Sequence, residues 1–376
     1  LLHAEVGCIL IWESDEQEPQ TRISYGVDYN LVRMMKLEGD IDIAQWTKKT
    51  GETVIINDFP PEANIPAEVN AVISAPLTAR EETIGVLVAV NKTDDDGFNN
   101  EDKKLLEMLV SFATVAIENS KLMEERLIRQ KLENELALAK TVQNALLPSD
   151  EFEFKGANIS HIYYPAGQVG GDYYDVIPIS EHKFIVIVGD VSNKGVPAAL
   201  VMTAVRSVVR HEVRNNMDIA RIVDNINQTL CRDVMRTDNM FISLVIALVD
   251  LAKMEATYCN AGHLPPLYFN PKNLEISQLK TGGMILGQFD EARYTAETIK
   301  LKPEDRILCF TDGITESMDR KEKLYGREGL LEFTNRNMDL DDNSFLKELK
   351  KEVDNFSKDA GPGQFDDMTS VLIRIT

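Results

Sequence analysis

No stretch of this chain stays apolar for the roughly 20 residues that a bilayer-spanning helix needs, and no charged, apolar and small-residue leader pattern opens it. Cysteine is scarce. Cys8, Cys231, Cys259 and Cys309 are scattered without a CxxC pair, which excludes a disulfide framework or zinc ribbon and suits reduced, buried thiols in a cytoplasmic protein. Positive charge is in deficit, 40 Lys plus Arg against 61 Asp plus Glu, for a formal net charge of −21. Such a surface repels nucleic-acid backbones and anionic membranes, and no local basic cluster offsets it. Proline and glycine are absent from residues 100–147, so nothing there interrupts a helix.

Against these absences stand 44% hydrophobic and 27% charged residues, the balance of a soluble globular protein. At 376 residues the chain exceeds one ordinary core, and two domains are expected. Neither internal repeats nor low-complexity tracts occur. The opening LLHAEVGCILIWE reads as the end of a helix running into a strand. It suggests a piece of a longer protein, with the nature of any upstream domain left open.

The most informative residues are aspartates beside glycines or second acids, each at the edge of a short apolar run. They are Asp172 in GGDYYD, Asp190 after FIVIVG, Asp312 in FTDGITE, and Asp366–Asp367 ahead of MTSVLIRI. A lone Asp is an ordinary turn residue. Four such clusters at strand edges look like carboxylates brought to one point from separate strands, the donor set of a hard divalent cation. This pattern reads as a metal-dependent hydrolase.

Residues 1–100 alternate short strands (6–12, 52–56, 72–77 and 83–91) with turns at 79–82 and 93–100. In residues 100–147 apolar side chains recur at Leu105, Leu109, Phe112, Ala116, Met123, Leu127, Leu132, Leu136, Ala139, Val142 and Leu146, largely at helical spacing. At 1.5 Å per residue one helix would run on the order of 60–70 Å, ended by Pro148. It reads as a coiled-coil connector pairing with a second copy; the plainer alternative is two helices broken near Asn119–Ser120. Beyond residue 150, strands are expected at 182–188, 241–249, 254–259, 266–269, 306–310 and 368–375. Helices are expected at 197–214, 219–235 and 344–356. Short turns between consecutive strands predict two mostly antiparallel sheets flanked by helices, an α+β fold.

GGDYYDV, VGDVSNKGVPAALVM, NAGHLPPLYF, FTDGITES and DDMTSVLI stand in the order seen in SpoIIE/RsbU-type serine/threonine phosphatases of the metal-dependent PPM superfamily, which the chain resembles over about residues 150–376. LALAKTVQNALLP resembles the switch helix preceding such domains. ISAPLTAREETIGVLVAVNK, with the DGFNNEDKKLLEMLVSFATVAIEN helix, resembles a GAF sensor domain. The expected organisation is a GAF domain over residues 1–118, a coiled-coil switch helix over 119–148 and a phosphatase domain over 149–376.

The resemblance implies a fold with two Mn²⁺ or Mg²⁺ ions about 3.5–4 Å apart that activate a water and clamp the phosphate. By motif, Asp190 would bridge both ions and the Val191 carbonyl would bind the second, supported by Asp172. Asp312 and Asp366 would hold the first ion. Asp367 would be a ligand or a support, since neighbours on a strand face opposite ways. The implied substrate is a phosphoserine or phosphothreonine on a STAS-fold anti-sigma-factor antagonist, with control passing from the GAF domain through a homodimeric coil. Two other functions are consistent with the fold: a catalytically silent binding module and a small phosphate-ester hydrolase.

Several features depart from the wider superfamily or leave alternatives open. Ser192 stands where many eukaryotic-type members have a histidine, and no phosphate-holding arginine is identified, so the leaving-group acid and phosphate binder are unassigned. Asn193 stands where glycine is commoner. The turn Ser192-Asn193-Lys194-Gly195 opens a helix and either does only that or meets a phosphate oxygen with its N–H groups or Lys194. His263 in NAGHLPP reads as a structural hydrogen-bonder, residues 281–287 as a turn bordering the site, Asp175 as solvated, and residues 326–333 as a helix start. Asn91-Lys92, Phe98 and Asp102 partly resemble a cyclic-nucleotide GAF motif, but the acid expected after Asp102 is missing. The GAF ligand stays unknown.

Overall fold

The computed structural model describes all residues except 1, 13–19, 27–31, 33, 39, 62, 81, 94–95, 149–151, 236–239 and 359–365. Glu81, Asp94 and Asp95, within two of the expected turns, lie outside the described residues. The chain forms two compact units, divided between Leu132 and Glu133, a point inside the span expected as linker.

The first unit comprises β1 (Ala4–Ile11), β2 (Gln20–Tyr25), β3 (Lys36–Glu38), β4 (Ile41–Asp42), α1 (Ile43–Thr50), β5 (Val54–Ile56), β6 (Val72–Ala79) and β7 (Glu82–Lys92), followed by the start of α2 (Asn100–Leu146). Its main sheet runs β2-β1-β7-β6-β5, antiparallel throughout. Side chains alternate across it with period two. Val86, Val88 and Val90 pack with Val6, Cys8, Leu10 and Ile43 on one face. Ala89, Ile73, Ala75 and Leu77 pack under Leu106 and Val110 of α2 on the other. The helix expected at the very start is not found: Leu2 and His3 are non-helical and β1 begins at Ala4. Lys92, Phe98 and Asp102 tie the start of α2 to the sheet, while the Asn91 side chain bonds Glu5, the Glu68 carbonyl and the Asn70 N–H. Lys92 Nζ meets Asp102 Oδ2 at 2.7 Å, Phe98 is buried, and the Asn99 N–H donates to the same carboxylate.

α2 is one unbroken helix of 47 residues, so a break near Asn119–Ser120 does not occur. Among the described residues no helix is long and apolar enough to cross a membrane. All four cysteines are free thiols. Burial pushes Cys8, Cys259 and Cys309 up to about 12.

The second unit holds β8 (Glu153–Phe154), β9 (Ala157–Tyr164), β10 (Asp172–Ser180), β11 (Lys183–Val191), α3 (Val196–Asn215), α4 (Ile219–Thr229), β12 (Ile242–Asp250), β13 (Glu255–Ala261), β14 (Leu267–Asn270), β15 (Glu275–Gln278), β16 (Gly282–Gly283), β17 (Glu297–Lys300), β18 (Arg306–Phe310), α5 (Asp312–Thr315), α6 (Gly326–Asn337), α7 (Asp342–Ser357) and β19 (Met368–Ile375). One sheet runs β10-β11-β12-β13-β16, with β17 also on β13, and the other runs β15-β14-β18-β19-β9-β8. All pairs are antiparallel except β13–β16. β9 and β10 were not among the expected strands. The expected helix over 219–235 is α4 followed by a π-helical turn, Leu230–Val234.

The period-two pattern sorts these strands into four layers. Phe184, Val186 and Val188 of β11, with Val245, Ala247 and Val249 of β12, meet Ile307, Cys309, Val371 and Ile373 from the second sheet. The intervening Ile185 and Ile187 face Met202, Val205 and Val209 of α3. On the far side, Leu308, Phe310 and Leu372 pack against Leu330, Phe333, Phe345 and Leu349 of α6 and α7. The result is helices, sheet, sheet, helices, with the chemistry-bearing acids at one end of the layer between the sheets.

Candidate metal centre

Strand pairing brings the first two acids together. Asp172 opens β10 and is directly opposite Asp190, the penultimate residue of β11. Asp172 is fully buried, and its Oδ2 accepts from Thr311 Oγ1 at 2.8 Å and from Thr369 Oγ1. Its Oδ1 is buried with no N–H or hydroxyl donor, and the side chain facing it is another acid, Asp190. An orphaned buried carboxylate oxygen is costly and calls for a ligand. Val191 follows Asp190 at the end of β11, with its carbonyl close against Gly171.

The other acids come from the second sheet. Asp312 caps the end of β18 by opening the short helix α5, and its carbonyl accepts from the Glu316 N–H at 2.6 Å. Asp312, Glu316 and Asp366 each offer an oxygen within 4.8 Å of the others. Asp366 also meets Lys194 Nζ at 2.8 Å. Asp367 turns the other way. Its two oxygens accept the Ala166 and Gly171 N–H groups at 2.8 and 2.6 Å, so it ties down the loop preceding Asp172.

Close approach explains two glycines. A Cβ on Gly170 would lie 2.5 Å from the Tyr163 hydroxyl and 2.6 Å from Asp367 Oδ2. One on Gly313 would lie 2.0 Å from the Asp367 carbonyl. Gly170 is held further by α2, where buried Gln143 donates through Nε2 to the Gly170 carbonyl at 2.8 Å and accepts from its N–H at 3.1 Å.

So many acids at one place oppose ionisation. Burial, then the charges of Asp312, Asp366 and Asp367, push Asp190 up to about 8. Burial, then Asp366 and Glu316, push Asp312 to about 6. Burial, then Asp190, hold Asp172 well above the usual carboxylate range, and burial raises Asp367. Carboxyls in this condition hold protons jointly, and a divalent cation is the natural replacement for those protons. The all-oxygen donor set and the orphaned Oδ1 fit a hard ion such as Mg²⁺ or Mn²⁺.

Asp175 is corrected: rather than solvated, it is completely buried on the helix face of β10. Arg210 of α3 grips it bidentately at 2.7 and 2.8 Å, and the Tyr173 hydroxyl and Val176 N–H also donate to it. His263 is buried between the sheets' ends, its Nε2 at 3.0 Å from the Phe310 carbonyl and its Nδ1 at 2.8 Å from Ser243 Oγ. Nε2 therefore carries the proton, and burial lowers the ring to about 4. It pins the strand end that delivers Thr311 and Asp312. Asn193 is left-handed at φ 71°, a conformation Asn tolerates. Within residues 281–287, Gly282–Gly283 is β16, beside Asn260–Ala261.

Sequence reasoning missed four residues of this site. Glu316 had a signal, its i+4 spacing from Asp312. Thr311, Thr369 and Gln143 had none beyond adjacency to motifs.

The comparisons agree with this architecture. Residues 180–376 match the family Stage II sporulation protein E (SpoIIE), and residues 1–117 match the GAF domain. The chain is 30% identical over 222 residues to phosphoserine phosphatase RsbU of Bacillus subtilis, covering 59% of this chain and 64% of that protein. It is 25% identical over 264 residues to protein IcfG of Synechocystis, covering 64% of this chain and 41% of that protein. The chain thus spans less than two thirds of the length of these curated relatives. Among solved structures, the SiaA-PP2C domain of Pseudomonas aeruginosa superposes with a TM-score of 0.59 at 18% identity, covering 66% of this chain and 99% of that one, which places the second unit in the PP2C fold. With the family match covering more than half of its length, the chain belongs to the SpoIIE family and carries a GAF domain ahead of its SpoIIE domain.

Proposed function

We propose that the protein is a metal-dependent phosphatase acting on phosphoserine or phosphothreonine in a protein substrate. The observation that carries this reading is the facing pair of buried Asp172 and half-buried Asp190, close to Asp312 and Asp366, with one Asp172 oxygen lacking an N–H or hydroxyl donor. The similarity to a phosphoserine phosphatase supports it. Two divalent ions, Mn²⁺ or Mg²⁺, would supply an activated water and neutralise charge on the phosphoryl group.

The protein's own part is to hold and orient. Asp190, Asp172 and the Val191 carbonyl would hold one ion, and Asp190, Asp312 and Asp366 would hold the other. Glu316 joins the Asp312–Asp366 side. Asp367 is a positioning residue, because both its oxygens already hold backbone N–H groups. Thr311 and Thr369 fix the Asp172 carboxylate in one orientation.

The substrate proposed is a STAS-fold anti-sigma-factor antagonist, and the GAF domain supplies the control. α2 leaves Phe112, Met123, Leu127, Leu132 and Val142 exposed, apolar surface that a second copy would bury in a homodimeric coiled coil. Gln143 near the end of that helix holds Gly170, so a change in the helix would reach the loop before Asp172. Proline in place of Leu132 or Leu136 should uncouple activity from the GAF domain and abolish dimerisation; a variant with both unchanged would rule this regulation out.

The test of activity is Mn²⁺-dependent hydrolysis of an aryl phosphate and of a phosphoserine protein, with EDTA as control. Asp190→Asn should lose activity about a hundredfold or more. Wild-type turnover that survives EDTA, or undiminished turnover in Asp190→Asn, would refute the reading.

A further inference from the structure

We propose that Lys194 is an internal counter-ion of the acidic cluster, displaced from Asp366 when a divalent ion binds and thereby presented to the phosphoryl oxygens of the substrate. The inference rests on the metal-dependent phosphatase reading above and gives a basic residue a part in it.

The geometry sets up a competition. Asp366 Oδ2 meets Lys194 Nζ at 2.8 Å, while its Oδ1 accepts the Asp367 N–H at 2.8 Å. Both oxygens are engaged, yet Asp366 is also one of three acids whose oxygens lie within 4.8 Å of each other. A divalent ion entering that group must take the oxygen the ammonium holds or sit beside a like charge. Repulsion at contact distance favours exchange.

Lys194 is built to leave. Its backbone is fixed in a turn between left-handed Asn193 (φ 71°) and Gly195 (φ 73°), but its side chain is 61% exposed. The flexible four-carbon stem can therefore swing without moving the turn. It would swing beside the start of α3, where Gly195 provides no side-chain cap. A displaced ammonium and unclaimed helix N–H groups together suit a phosphoryl oxygen. An ammonium that vacates the carboxylate for a metal and then meets the phosphate serves both states with one charge.

The experiment uses the full chain, stripped with EDTA, and compares lysine acetylation by mass spectrometry with and without Mg²⁺. Lys194 labelling should rise about threefold or more as the ion pair opens, while Lys92, paired with Asp102, stays constant. Calorimetric titration with Mn²⁺ should show Lys194→Met binding about tenfold more tightly than wild type, equivalent to about 1.4 kcal/mol. Lys194→Arg should keep near-wild-type affinity. On a phosphoserine protein, Lys194→Met should raise KM more than it lowers kcat. Lys194 labelling that is unchanged or reduced by Mg²⁺ would overturn the proposal without needing a variant. So would Mn²⁺ affinity in Lys194→Met equal to or weaker than wild type. Failure of wild type to bind Mn²⁺ at all would instead overturn the phosphatase reading on which it rests.

Discussion

Asp172 and Asp175 stand on the same strand, both buried, and face opposite sides of one sheet. Asp175, on the helix side, is answered completely from within the protein, by both nitrogens of an Arg210 fork, a tyrosine hydroxyl and a backbone N–H. Asp172, at the end of the layer between the sheets, has hydroxyls on one oxygen, no N–H or hydroxyl donor on the other, and a second acid, Asp190, opposite. Burying a charge is tolerated when a partner of opposite sign is supplied. Where the chain supplies it, the acid is structural. Where the chain withholds it and gathers further acids, the arrangement is a binding site whose missing charge must come from solution.

The sharpest way to break this comparison is to remove each charge in turn. Asp172→Asn should weaken Mn²⁺ binding by about 10- to 100-fold, yet leave the melting temperature of the metal-free chain unchanged or higher. Asp175→Asn should do the reverse. It strands the partly buried Arg210 and should cost about 3 kcal/mol of stability, with Mn²⁺ affinity within about twofold of wild type. Denaturant unfolding in EDTA and calorimetry read the two effects separately. Equal responses from the two variants would erase the distinction.

The pH dependence sharpens the contrast. Asp190, raised to about 8, and Asp312, raised to about 6, hold protons in the folded state that the unfolded chain has released. The folded state binds more protons, so the stability of the metal-free chain should fall as pH rises from about 4, the ordinary carboxylate range, towards 8. Mn²⁺ competes for the same oxygens, so its affinity should climb between pH 6 and 8 by up to about tenfold per unit per proton displaced. Calorimetry across that range checks it, and a flat affinity would separate these carboxyls from the metal. Asp175→Asn should keep the wild-type profile.

The smallest effect expected is at His263, whose two ring nitrogens are both satisfied within the fold. His263→Ala should cost about 2 kcal/mol by leaving the Phe310 carbonyl and Ser243 hydroxyl unpartnered. The pH profile of any phosphatase activity should keep its shape, which excludes the ring as a proton carrier.

The acids on the metal side of this contrast were legible in the sequence; the buried role of Asp175 was not. Asp172, Asp190, Asp312 and Asp366–Asp367 each stand beside a glycine or a second acid at a strand edge, and the strands 306–310 and 368–375 coincide with β18 and β19. The role of each acid was not legible, because it depends on partners distant in sequence. Nothing near Asp175 announces Arg210, which reaches it across 35 residues from α3. Asp366 and Asp367 are chemically alike, and only the positions of the Ala166 and Gly171 N–H groups separate them. β10 was hidden because its first residues read as a motif. In the first unit, Lys92 and Asp102, ten residues apart and read only as parts of a motif, form an internal ion pair.

The most direct measurement is anomalous diffraction at the manganese edge from crystals of the full chain grown with Mn²⁺. The account predicts strong peaks bounded by Asp190, Asp172, Asp312 and Asp366, and none at Asp175. Saturating Mn²⁺ with no peak among those four carboxylates would contradict it.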